Sequence, residues 1–333
     1  MNIYFSFIIP VFNRPEEVKE LLGSFTLLNY NKPYEIVIVE DGSSESSENI
    51  VRQFSEKLNI SYFYKDNSGP GLSRNYGMEK AAGDYFIILD SDCLLPPHYL
   101  TTVEAFLDNN YCDCYGGADA AHESFSDLQK AINFVMTSFL TTGGIRGNKK
   151  SVTRFEPRSF NMGISKKAFL KTGGYGTIHP GEDPDLSQRI VKNGFDSTFI
   201  PNAYVFHKRR ISWKKFHTQV QKFGLVRPIL NKWHPKSSKI TFWFPLCFVL
   251  FVIFSITVSL FISWLALLPL LLYILMVFIS STLKNKSIFI GLLSIVALFV
   301  QFFGYGIAFL KSSYYIGLLN RDPQKQFPTL FFN

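Results

Sequence analysis

Asp90-Ser91-Asp92 carries the clearest chemistry in this sequence. The two carboxylates end an apolar run, Tyr85-Phe86-Ile87-Ile88-Leu89, that reads as a buried parallel strand. Two acids one residue apart on an extended chain can turn their oxygens toward one divalent cation. Hard oxygen ligands suit Mg²⁺ or Mn²⁺, and such a cation can grip a diphosphate. A second acidic group, Gly181-Glu182-Asp183-Pro184-Asp185-Leu186, opens a predicted helix, where the dipole favours negative charge.

These groups need a frame. Residues 3–11 form an apolar run, and Asn13-Arg14-Pro15-Glu16-Glu17 then opens a helix with Pro and acids in its first turn. Val18, Leu21, Leu22, Phe25 and Leu28 give that helix a stripe to bury. A second strand, 34–39, runs into Glu40-Asp41-Gly42-Ser43-Ser44, followed by a helix to about residue 58 and a third strand at 60–64. A loop at 66–71 precedes a helix over 72–82 and then the Asp-Ser-Asp strand. Beyond it the pattern predicts helix at 98–109, strand at 112–118, helix at 127–140, a Gly-rich basic loop at 141–150, a short strand at 160–164, a helix to about 193 and a strand at 199–206. Strands alternating with helices imply an α/β domain with a doubly wound, mostly parallel sheet. Such sheets bind ligands at the carboxyl ends of their strands, where Asp41 and Asp90 fall.

Charge divides the chain sharply. Residues 1–203 hold 19 Lys/Arg against 25 Asp/Glu, whereas 204–239 hold 10 Lys/Arg and no acid. Basicity confined to one belt before a hydrophobic tail argues for an anionic membrane and against a nucleic-acid partner. No charge interrupts residues 240–283 or 287–310. A membrane-spanning helix needs about 20 apolar residues. The pattern therefore predicts three spans near 241–262, 265–283 and 288–310, then a tail at 312–333. Within 212–226, Trp213, Phe216, Val220 and Phe223 recur at helical spacing with Lys214, Lys215 and Lys222 between them. That predicts an interfacial amphipathic helix, with a core-facing helix as the alternative. The start, Met1-Asn2-Ile3-Tyr4, has no basic n-region or cleavage site, so the catalytic part is expected in the cytoplasm. Cys93, Cys112, Cys114 and Cys247 lack the spacing of a zinc site and read as inert thiols.

Five pieces stand in order: Pro10-Val11-Phe12-Asn13-Arg14, Val39-Glu40-Asp41-Gly42-Ser43, Gly71-Leu72-Ser73-Arg74-Asn75-Tyr76-Gly77, Asp90-Ser91-Asp92, and Gly181-Glu182-Asp183-Pro184-Asp185-Leu186-Ser187-Gln188-Arg189. This succession resembles family 2 glycosyltransferases of the GT-A fold over about residues 3–207. The anchored tail resembles members that build bacterial surface polysaccharides or lipid-linked oligosaccharides. The resemblance implies a GT-A domain at 1–207, a juxtamembrane segment at 208–239 and membrane helices within 240–311. It implies that Asp41 accepts from a uracil imide, with Glu40 beside it. Pro10, Phe12 and Arg14 would frame the nucleoside, and Arg74 would lie near the base or diphosphate. Asp92 would bind Mg²⁺ or Mn²⁺ directly, with Asp90 and Ser91 at the ribose or metal and His207 as a further metal or diphosphate ligand. Asp183 would be the general base and Glu182 its rival, with Asn161 and Met162 on the acceptor side. The expected reaction is inverting transfer from a UDP-sugar to a hydroxyl of a lipid-linked acceptor, at a multi-pass protein of a bacterial inner membrane. No Gln-x-x-Arg-Trp motif follows the base (Gln219-Val220-Gln221-Lys222-Phe223 stands there), which disfavours processive synthesis. A polyprenyl-phosphate sugar transferase is the alternative enzyme, and a catalytically silent membrane scaffold is the alternative of another class.

Overall fold

The computed structural model describes residues 3–120, 125–143, 156–207 and 212–332. In chain order the main elements are β1 (Phe5–Val11), α1 (Pro15–Phe25), β2 (Tyr34–Asp41), α2 (Glu48–Phe54), β3 (Ile60–Lys65), α3 (Pro70–Lys80), β4 (Tyr85–Leu89), β5 (Cys93–Leu94), α4 (Tyr99–Asn109) and β6 (Cys114–Ala120). They continue with α5 (Asp127–Thr137), α6 (Phe139–Thr142), β7 (Asn161–Ser165), α7 (Lys166–Thr172), α8 (Glu182–Lys192), β8 (Ser197–His207), α9 (Trp213–Trp233), α10 (Phe244–Phe261), α11 (Leu268–Asn285) and α12 (Ile288–Ser312). They fall into two compact units, one drawn from residues 1–122, 149–207 and 331–333, the other from 123–148 and 208–330.

The first unit is one sheet in the order β3-β2-β1-β4-β7-β6-β8-β5. Strand β1 alternates: Phe5, Phe7 and Ile9 pack with Leu21 and Phe25 of α1 and Val103 of α4. Ile8 packs on the opposite face with Met78 of α3, Phe169 of α7 and Leu186 of α8. Burial on both faces explains why β1, β2 and β4 read as continuous apolar runs. Helix α3 lies close on the sheet: a β-carbon on Gly77 would stand 2.7 Å from Ile8. Pro15 and Pro70 each occupy the first turn of a helix, where a missing N–H costs nothing.

The sheet is mostly parallel, as expected, with β6 and β8 also paired in parallel and two strands, β7 and β5, running against the rest. Strands β3, β2, β1 and β4 pair in parallel, as expected. Strand β7 enters antiparallel to both β4 and β6, and β5 antiparallel to β8. Antiparallel entry sets Asn161 opposite Leu89, beside the loop that carries Asp90. Strand direction depends on which partner is found in space, and an apolar run of five residues does not encode it. The two-residue β5 and the helix α7 have no pattern in the sequence long enough to announce them.

The second unit is helical, and residues 240–261, 264–285 and 288–318 form three helices long and apolar enough to cross a membrane. Ser281 and Ser294 hydrogen-bond at 2.7 Å between α11 and α12. The stripe on α9 is not an exposed membrane-binding face. Phe216 and Val220 are buried with Leu298 and Phe302 of α12, with Trp213 and Phe223 packed against the same cluster. Ser312 of α12 also donates to the Leu225 carbonyl at 2.6 Å. The core-facing alternative therefore holds, because a long apolar helix supplies better cover for the stripe than the headgroup plane. Lys214 and Lys215 stay exposed. Two expected boundaries shift as well. Helix α5 joins this unit, not the sheet domain, because Ile132, Val135 and Met136 bury into the cluster that holds Phe302. Residues 331–332 return to the first unit, so 312–333 is not a detached tail. Most of the loop expected at 141–150, and residues 208–211 of the basic belt, lie outside the described residues.

Candidate active site

Strand ends bring the predicted acids to one edge of the sheet. Asp41 is the last residue of β2 and almost fully buried. Its Oδ1 accepts from the Ser68 amide at 2.9 Å and from Lys65 Nζ at 2.6 Å, and its Oδ2 accepts from the Gly69 amide at 2.9 Å. An ionised carboxylate offers about four lone-pair directions. These three bonds leave one on Oδ2, which a ligand N–H can use. Glu40 differs from expectation. Its oxygens accept from Ser43 and Tyr62, and from both the amide and hydroxyl of Ser47. With no exposed surface, it shapes the 43–47 loop and has no face for a donor. Asn13 ties that loop to the end of β1 through the amides of Ser44 and Glu45. Phe12 is half exposed beside it, and Pro10 lies opposite Val39 within the sheet.

The turn after β4 holds the second group. Arg14 Nη1 donates to Asp92 Oδ2 at 2.5 Å, so this guanidinium lies on the predicted metal ligand. His207 Nε2 lies 3.2 Å from Asp92 Oδ1 and 3.9 Å from Asp90 Oδ2, its ring stacked on Phe160 with centroids 4.7 Å apart. Asp92, Cys93 and His207 each offer a ligand atom, all within 4.8 Å of one another. Burial pushes the Cys93 thiol well above its usual range, so it remains a neutral SH and a poor ligand for a hard cation. Two carboxylates and an imidazole remain, a donor set that fits Mn²⁺ and is tolerable for Mg²⁺. Ser91 is buried between the two acids.

The third group joins the ends of the sequence pattern. Arg74, buried on α3, donates to Asp90 Oδ1 at 2.8 Å and to Glu182 Oε1 at 3.1 Å, its guanidinium 5.3 Å from the centre of the Tyr175 ring. His179 Nδ1 lies 2.9 Å from the same Glu182 oxygen. One arginine thus bridges acids 92 positions apart in the chain. Burial alone would raise Glu182, but His179 and Arg74 together hold it below the usual carboxylate range. Asp183 goes the other way: burial first, then the neighbouring Glu182 charge, raise its carboxyl to about 6. Its Oδ1 is sealed from solvent and accepts no hydrogen bond. Helix capping does not explain it, because Gly181 occupies the N-cap, and Asp185 pairs with Arg189 at 2.8 Å instead of capping. A carboxyl poised near neutrality is the form a general base takes.

Asn161 and Met162, expected on the acceptor side, are interior. Asn161 accepts from Tyr99 at 2.6 Å and donates to the carbonyls of Ala203 and Ala118 at 2.8 and 3.2 Å, while Met162 Sδ accepts from Tyr175 at 3.4 Å. Their polar atoms are consumed in clamping strands together. Lys65, His179 and Tyr175 carry no site role in the sequence reading. Of these, only His179 carries a local cue, lying one turn before Glu182.

The sheet, with acids gathered at its strand ends, has the GT-A fold. The chain belongs to glycosyl transferase family 2, whose family model matches residues 6–172. Over 112 residues it is 32% identical to the poly(ribitol-phosphate) beta-N-acetylglucosaminyltransferase TarS of Staphylococcus aureus strain Mu50, covering 33% of this chain and 20% of TarS. The chain thus spans about a fifth of that relative's length. The solved structure of the mannosyltransferase PcManGT from Pyrobaculum calidifontis, in complex with GDP-Man and Mn²⁺, superposes with a TM-score of 0.56 at 14% identity, covering 97% of this chain and 89% of that one. TarS 1–349 in complex with UDP-GlcNAc gives 0.50 at 17% identity, covering 94% and 92%. These two likenesses describe the fold.

Proposed function

We propose that this protein transfers a sugar, with inversion, from a nucleotide-sugar (UDP-linked) to a hydroxyl of a lipid-linked acceptor at a membrane surface. The observation that carries the reading is Asp183: a carboxyl with one oxygen sealed and unbonded, raised to about 6, one residue from a glutamate held ionised by Arg74 and His179. In the reaction the acceptor oxygen bonds to the anomeric carbon as the bond from that carbon to the diphosphate oxygen breaks. Asp183 takes the acceptor's proton. Attack from the side opposite the leaving group inverts the centre. Asp41 receives the base N–H on its remaining lone pair. Arg74 keeps Asp90 and Glu182 in place. Asp92, with His207 and Asp90 beside it, would hold Mn²⁺ or Mg²⁺, which when bound offsets the charge gathering on the departing nucleotide.

Acceptor and location rest on the second unit. Phe254, Phe261, Leu272 and Leu283 point outward from the apolar helices, more exposed apolar surface than water-facing proteins carry. With the basic belt ahead of them, these helices support a multi-pass protein whose catalytic unit lies in the cytoplasm. The test is to supply membranes containing the protein with a panel of radiolabelled UDP-sugars and follow label in the lipid extract. Label should enter a glycosidic, alkali-stable lipid-linked product that is absent with Asp183→Asn. Label in a lipid-phosphate sugar, with Asp183→Asn still active, would make the phosphate-acceptor reaction the correct one.

A further inference from the structure

Residues 331 and 332 follow the apolar helices in sequence yet belong to the first unit. Phe331 forms an antiparallel bridge with Ile178, and the Phe332 amide donates to the Thr177 carbonyl at 2.9 Å. This pairing fixes where the Phe332 side chain goes. Its ring lies against Gly69, where a built β-carbon would stand 2.3 Å away. Gly69 has a φ of +86°, and its amide is the one that donates to Asp41 Oδ2. The ring also lies near that of His179, centroids 5.9 Å apart and tilted, and His179 is itself bonded to Glu182.

Packing does not account for this placement. Phe332 is only partly buried, and it belongs to neither hydrophobic cluster of the first unit. Its neighbours include a backbone loop and an imidazole, both tied to acids of the site. A flat apolar face held there by main-chain pairing suits a planar ring that needs one stacking surface and polar contacts at its edge. A nucleobase meets that description.

We infer that Phe332 is a donor-binding residue, its ring forming one wall of the nucleoside subsite beside Asp41 and Gly69. The inference rests on the nucleotide-sugar reading given above. Any side chain at position 69 would displace the ring, so the glycine and the phenylalanine act together.

Titration of the full-length protein in detergent with UDP, and separately with GDP, in the presence of Mn²⁺ tests it by calorimetry. Phe332→Ala should weaken nucleotide binding about tenfold, the size of one aromatic contact on a base. Phe332→Leu, which keeps apolar bulk, should be nearly as weak, and Phe332→Tyr should bind like the parent. The KM for the nucleotide-sugar should rise in parallel, with kcat changed less. Unchanged or tighter binding in Phe332→Ala, together with loss of binding in Asp41→Asn, would overturn the wall and leave the donor reading standing. Equal weakening by Ala and Tyr would also overturn it, since a ring was retained. If the parent binds neither nucleotide, the donor reading itself fails and takes this inference with it.

Discussion

Replacing Asp183 by asparagine should stop transfer without weakening the fold. Burial and the Glu182 charge raise the Asp183 carboxyl from 3.8 to about 6. Each pKa unit is worth about 1.4 kcal/mol, so the ionised form works against the folded state by up to roughly 3 kcal/mol. The sign follows from linkage: the folded protein holds this proton more tightly, so stability falls as pH rises from the ordinary value to about 6 and is constant above it. Asparagine removes that charge and nearly keeps the shape. Its thermal midpoint at pH 7 should equal or exceed the parent's, with nucleotide-sugar affinity little changed. The transfer rate should drop by ~10²–10⁴-fold, the usual share of a general base. Glu182→Gln should behave oppositely. It strips a charge from buried Arg74 and from His179, and breaking such a buried pair costs about 3–5 kcal/mol. The parent's rate should show an acid limb near pH 6 that disappears from the residual activity of Asp183→Asn. Thermal unfolding, nucleotide-sugar binding and initial rates on both variants decide the matter. A folded, inactive Glu182→Gln beside an active Asp183→Asn would mean that the wrong carboxylate was chosen. A Asp183→Asn protein inactive only because it unfolds would reduce the residue to a structural role.

Two further outcomes are expected. Chelator should silence the parent, and Mn²⁺ should restore it better than Mg²⁺ because His207 supplies a nitrogen beside Asp92. Asp92→Asn should not recover with either ion, and full turnover in excess chelator would exclude metal dependence. In reconstituted bilayers the protein should unfold at higher temperature in anionic than in neutral lipid. High salt should erase that difference and Lys214→Gln/Lys215→Gln should reduce it, since both lysines are exposed and such pairing is screened. A salt-independent preference would place the lipid contact elsewhere.

The apolar runs and their periods determined much of this protein. The parallel half of the sheet, the acids at the ends of β2 and β4 and the three apolar helices all follow from local pattern, because burial on both faces of a strand, or around a whole helix, leaves its mark residue by residue. The stripe on α9 also showed that a helix would form, but what covers that stripe depends on α12, far along the chain. Tertiary structure alone decided three things. It turned β7 antiparallel, which buried Asn161 and Met162 as clamps. It placed Arg74 between Asp90 and Glu182, which with His179 holds Glu182 below the usual range while burial raises its neighbour Asp183. It also returned Phe332 to Gly69. Each of these depends on residues brought together across long stretches of chain, where charge, desolvation and contact are set by distance in space and leave no period in the sequence.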